Sequence, residues 1–136
     1  MNKMILRVTG AAIVGALAFQ AASLDVLLRI GISVVIGLPA FVLIIVGRRQ
    51  LGESFSVMPE AKSLVTTGLY SRLQHPMYVF LDLFLAAVIV ALGMTILLWL
   101  WGAVVIVQVL QARREENVLR SAFGTDYEAY AKQLWL

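Results

Sequence analysis

From Val26 to Gly47 the chain carries a single charge, Arg29, and no other stretch constrains the fold more. The run matches the roughly 20 residues a helix needs to cross a bilayer. Inside lipid no water is present to satisfy backbone N–H and C=O groups, so such a segment folds as a helix that bonds to itself. A second apolar run, Val8 to Leu24, precedes it, and a third, Met77 to Leu110, is broken only by Asp82 and Gln108. With 61% of its 136 residues hydrophobic and 14% charged, the chain is far from the quarter-charged composition of a soluble domain. Lipid is therefore the solvent for most of it.

These runs predict an all-α integral membrane protein, one domain of about four transmembrane helices. Met77 to Leu110 is short for two full crossings and long for one. "LGMT", Leu92 to Thr95, is a plausible turn within it, so the last two helices read as a tight hairpin. The expected bounds are helices over about 7–24, 26–47, 76–92 and 94–116, a polar loop over 48–75, and an amphipathic interfacial segment over 117–136. The opening "MNKMILR" with "ALA" further on also resembles a secretory signal peptide; it is read here as a retained first helix.

Charge gives an orientation. Lys3 and Arg7 precede the first run, Arg48, Arg49, Lys62 and Arg72 follow the second, and Arg113, Arg114, Arg120 and Lys132 follow the last. The positive-inside rule then predicts that both termini and the 48–75 loop face the cytoplasm, in a bacterial or archaeal inner membrane. The net charge of +3 flanks apolar segments rather than forming a basic stripe, so nucleic acid is not an expected partner. The chain has no cysteine and one histidine, which argues against a zinc or haem site, and no Gly-rich phosphate loop or Ser-His-Asp set is evident.

Two clusters could carry chemistry. In "GLYSRLQHPMY", Gly68 to Tyr78, Pro76 suits the first turn of a helix. His75 then stands at the helix entrance, near free N–H groups that favour an anionic ligand group. Tyr78 lies almost one turn on. The same spacing suits a plain helix cap with an interfacial tyrosine. In "RREENVLRSAFGTDYEAY", Arg113 to Tyr130, Glu115 and Glu116 directly follow an apolar run. Carboxylates near a helix C-terminus oppose its dipole, so the helix continues or the pair is held for a purpose; a solvated charge run is the plainer alternative. Asp82 is an acid inside an apolar segment, and so a functional suspect, with Arg72 or a tail arginine as a partner. Met94, Trp99 and Trp101 read as lipid-facing or packing residues.

In joint order and spacing the clusters resemble the isoprenylcysteine carboxyl methyltransferase family, itself similar to the membrane phospholipid methyltransferases. The matching residues are Leu64, Val65, Gly68, Tyr70, His75, Pro76 and Tyr78, then Glu115, Glu116, Leu119, Phe123, Gly124, Tyr127 and Tyr130. Arg48 to Val57 is also similar to the segment before the family's first motif. The resemblance implies a membrane enzyme that uses S-adenosylmethionine, releases S-adenosylhomocysteine, and admits a lipophilic substrate sideways from the bilayer. It implies a cofactor pocket of Val65, Gly68, Tyr70, Gln74, His75, Pro76, Tyr78, Glu115 and Glu116, with His75, Glu116 and Arg114 as catalytic candidates. Gln74 stands where the family pattern has arginine, Leu69 where it has proline and Phe80 where it has glycine. Arg72, two residues before Gln74, is the expected replacement guanidinium.

Overall fold

A computed structural model describes residues 3–52 and 64–135. Four helices run through them: α1 (Lys3–Ala21), α2 (Val26–Leu51), α3 (Pro76–Leu92) and α4 (Leu97–Gln133), with a short 3-10 turn at Gly68–Ser71 between α2 and α3. No strand occurs among the described residues. Helices α1, α2 and α4 are long and apolar enough to cross a membrane, and α3 is an apolar helix of 17 residues. At 1.5 Å per residue α3 is about 25 Å long. That is short of a hydrocarbon core of about 30 Å, and α3 packs against the other three helices.

Exposure is inverted relative to a soluble protein. Leu27, Val35 and Trp99 are 81%, 73% and 82% exposed. An aqueous surface does not tolerate that density of bare apolar side chains, so these residues meet lipid tails. The buried residues are small instead. Helix–helix contact in lipid gains nothing from hiding oil from oil, and close packing of small side chains replaces it. Gly37 and Ala40 of α2 are buried, as are Ala86 and Ala87 of α3. A Cβ on Gly37 would sit 3.2 Å from the Ala87 Cβ, so that glycine sets the approach of α2 to α3. Arg29, the lone charge of the long run, is half-buried with its guanidinium over Gly93. Gly93 is the left-handed cap of α3, so a cation stands at the negative end of that helix dipole.

Several boundaries differ from the sequence expectation. Helix α1 starts at Lys3 and ends at Ala21, where turns at Ala22 to Leu24 begin. Helix α2 continues past 47 to Leu51, carrying Arg48 and Arg49 in its last turn. Of the expected 48–75 loop, residues 53–63, including Lys62 and the 53–57 part of the Arg48 to Val57 segment, lie outside the described residues. Helix α4 starts at Leu97, because Met94 to Ile96 form hydrogen-bonded turns after α3. It does not stop at 116. It runs on to a kink at Gly124, where φ is 49° and ψ −120°, a backbone state glycine reaches without a Cβ penalty.

That kink redirects the tail. Residues 117–123 are still α4, and beyond Gly124 the last turns fold back onto the 64–75 segment. Tyr127, Tyr130 and Leu134 form a buried cluster with Leu64, Leu119 and Phe123. The Tyr130 hydroxyl donates to the Tyr70 carbonyl at 2.5 Å, and Trp135 N–H donates to the Arg72 carbonyl at 2.8 Å. Lys3 Nζ donates to the Ala131 carbonyl at 2.6 Å, tying the start of α1 to the same clasp. We call residues 125–135 the clasp.

Candidate functional site

Pro76 opens α3 at its first turn, where it sacrifices no hydrogen bond. This fixes His75 as the residue just before the helix and Tyr78 within its first turn. Their rings stack, with centroids 5.4 Å apart and planes 13° from parallel. On the facing side α4 continues past its apolar stretch, so Glu115 and Glu116 project from a formed helix rather than a frayed end. The segment before His75 is held from below: Gln50 of α2 lies against Gly68, and its Oε1 accepts from Leu69 N–H at 2.8 Å.

The groups converge. His75 Nδ1 is 3.1 Å from Glu115 Oε2, and the Tyr78 hydroxyl donates to Glu115 Oε1 at 2.6 Å. Both oxygens of Glu115 are thereby engaged. Glu116 is less committed: its Oε1 accepts from Arg7 at 3.3 Å, stands 3.9 Å from His75 Nε2, and its side chain is 33% exposed. With Nδ1 directed to Glu115, His75 Nε2 is left buried without a hydrogen-bond partner, which is expensive unless a ligand completes it.

Arg7 was not among the sequence candidates. From α1 its guanidinium donates to Glu116 and, at 3.3 Å, to Gln74 Oε1. Gln74 is buried, and its amide nitrogen donates to the Tyr127 hydroxyl. The expected substitute, Arg72, is exposed and lies 5.1 Å over the Trp135 ring, on the clasp side. The cationic group beside position 74 thus comes from another helix. The sequence marks Lys3 and Arg7 only as flanking charge; the hint is that the charge pattern puts them on the same membrane face as Glu115 and Glu116.

Below this cluster an apolar slot of about 200 Å³ opens between α1, α3 and α4. His75, Tyr78 and Arg7 line one end, and Val79, Leu83 and Val105 line its walls. Of the sequence candidates, Tyr70 and Pro76 are buried and support the turn before α3. Val65, Gly68 and Arg114 do not line the slot. Arg114 is exposed on α4, since its neighbours Glu115 and Glu116 take the inward face. Of the two alternatives given for the tryptophans, Trp101 takes the packing one, 6% exposed and lining the slot, while Trp99 faces outward. Asp82 also lines the slot, and its partner is neither Arg72 nor a tail arginine. The Gln108 amide, oriented nitrogen-first, donates to Asp82 Oδ2 at 3.0 Å. Among the described residues no group of His, Asp and Glu side chains is arranged to hold a metal ion.

In the clasp, burial pushes the Tyr130 phenol up to about 12, reinforced by Tyr127. Tyr70 is raised also, by burial first and then by Tyr130 and Glu115. Both remain neutral, and Tyr130 therefore remains a donor, through the physiological range.

Among known proteins, the family model described as phospholipid methyltransferase matches residues 28–126. No curated protein and no solved structure matches the chain. The matched stretch covers α3 and most of α2 and α4, and leaves Arg7 and the clasp tyrosines outside it.

Proposed function

The chain belongs to the phospholipid methyltransferase family, and from that premise we propose that it is an S-adenosylmethionine-dependent methyltransferase acting on a lipophilic acceptor at the cytoplasmic face of the membrane. The observation that supports this reading is the meeting of His75, Glu115, Glu116 and Arg7 at one end of an apolar slot. The polar groups suit a charged cofactor, and the slot suits a hydrocarbon chain. The buried, unpaired His75 Nε2 and the partly exposed Glu116 carboxylate are the atoms most in need of a ligand. They fit the hydroxyl and amino groups of S-adenosylmethionine, with Tyr78 and Gln74 positioning them. When bound, that cofactor supplies a methyl group on a cationic sulfur.

Methyl transfer is an in-line displacement, so most of what a protein adds is alignment. Here α4 carries the two carboxylates, with Tyr78 of α3 and Arg7 of α1 as their donors, and the α1–α3–α4 slot holds the acceptor chain. Low dielectric at the slot strengthens the attraction of Glu115 and Glu116 for positive charge. Arg7 offsets part of that negative charge, so an acceptor carboxylate is not simply repelled. A prenylcysteine-like carboxylate is ionised at neutral pH and needs no base. A phospholipid amine is the second reading, favoured by the family description. It must lose a proton as the methyl–nitrogen bond forms, and Glu116 or His75 Nε2 is placed to accept it.

Purified protein incubated with S-adenosylmethionine and a panel of prenylcysteines, aminophospholipids and lipophilic thiols is expected to yield S-adenosylhomocysteine with at least one of them. No turnover across the panel, with no cofactor binding, would leave a relative that kept the fold without the chemistry.

A further inference from the structure

The slot has a floor. Just beyond it Ala18 of α1 and Ala86 and Val90 of α3 form a buried apolar cluster, with Val14 and Leu98 packed against it, so the three helices close on one another there. Trp101 lies across the same end, buried. Its ring rests on Gly15: a Cβ there would come within 2.9 Å of Trp101 Cζ3, so the bare glycine lets the indole reach from α4 to α1. The Gln108 amide donates to both Asp82 carboxylate oxygens, at 3.0 and 3.3 Å, and the Trp101 N–H lies against the same carboxylate. These polar groups answer one another and tie α3 to α4 across the closed end.

Above that floor the slot is short. Asp82 is seven residues beyond His75, about 10 Å along the helix axis. An extended chain advances about 1.2 Å per bond, so about eight bonds fit that length. The volume agrees: an apolar cavity of about 150 Å³ takes the six carbons of a benzene, so 200 Å³ takes about eight. We propose that the slot is a length gauge for a single apolar chain of about eight carbons, with Trp101 as the residue that sets its end. Such a chain puts its polar head beside Arg7 and Glu116 and its last carbon against the indole. Further methylenes meet the indole, and forcing carbon into a filled site is unfavourable. This deepens the proposed function, resting on the slot as the acceptor site: the substrate class is an amphiphile with one short chain, and Trp101 is its specificity-determining residue, seated by Gly15.

The test is native mass spectrometry of the protein in amphipol, without cofactor, offered an equimolar mixture of straight-chain carboxylates from butanoate to hexadecanoate. Retention is expected to rise to an optimum near octanoate, with dodecanoate held about tenfold more weakly because it overpacks the site. Trp101→Ala opens the floor and is expected to lengthen the optimum by about two carbons or more. Gly15→Ala adds a methyl where the ring now lies, tilts the indole into the slot, and is expected to shorten the optimum; it stands in if Trp101→Ala does not fold. Retention that climbs steadily to hexadecanoate, or an optimum that stays in place in the variant that folds, overturns the proposal. A protein that sorts chain length yet transfers no methyl group refutes the enzymatic reading alone, and one that methylates acceptors of every length alike refutes the gauge alone.

Discussion

The two sides of α3 are built on opposite rules. Toward α2 it presents Ala86 and Ala87 to Gly37 and Ala40, a seam of small side chains with the two backbones in close approach. Toward α1 and α4 it presents His75, Tyr78 and Asp82 to a slot. Packing fixes the first side, and its residues have nothing to donate to a ligand. The second side leaves space, and each polar group there is either held by another helix or waiting for a partner. A membrane bundle of this size can hold a site because one seam carries the assembly while the other is left open.

The comparison breaks first at the seam. Gly37→Leu forces side-chain volume to where a Cβ alone would stand 3.2 Å from the Ala87 Cβ and is expected to cost about 2–3 kcal/mol of stability, read by thermal unfolding in detergent. Cofactor affinity of the surviving folded protein should not change. If affinity falls while stability holds, the seam is part of the site and the division fails.

On the open side, Arg7→Ala leaves the Glu116 carboxylate and the Gln74 amide without their donor. S-adenosylhomocysteine is expected to bind about tenfold more weakly, matching the loss of one charge-assisted hydrogen bond. Arg72→Ala is the control and should bind as the wild type does. The reverse ranking would return the missing guanidinium to Arg72.

The clasp supplies a smaller effect. Tyr130→Phe removes the hydroxyl bonded to the Tyr70 carbonyl and should cost about 1 kcal/mol. Its alkaline behaviour follows from the phenol. The folded-state value is raised to about 12 from an ordinary 10, so the folded form holds the proton more tightly. That contribution is complete below about pH 10 and is lost as pH climbs from 10 to 12. Wild type should therefore lose stability over that window more steeply than Tyr130→Phe. The smallest effect belongs to Arg114→Ala: an exposed side chain off the slot should alter cofactor binding and turnover less than twofold.

Much of this arrangement is written in local sequence. The apolar runs predict membrane helices because lipid leaves the backbone no alternative, and Pro76 marks the start of α3 by its missing donor. Charge asymmetry already sets His75 and Glu115 on one face. What sequence could not supply is of another kind. Arg7 has no motif around it, and only the packing of α1 against α3 and α4 brings it to Gln74. The amphipathic tail has the same pattern whether its apolar face meets lipid or protein, so the clasp emerges only when Tyr130 is seen against Tyr70. The pairing of Asp82 with Gln108, and the void beside Trp101, join residues of separate helices, and a void has no residue to announce it.

The central claim is that His75 and the paired glutamates form a cofactor site at the polar end of the slot. Isothermal titration of S-adenosylhomocysteine into wild-type protein and His75→Ala tests it most directly. The account predicts binding by the wild type and at least a thirtyfold loss in the variant, since the substitution removes the unpaired Nε2 and leaves Glu115 short of a partner. Equal affinity in the two proteins, or no binding by a folded wild type, would contradict it.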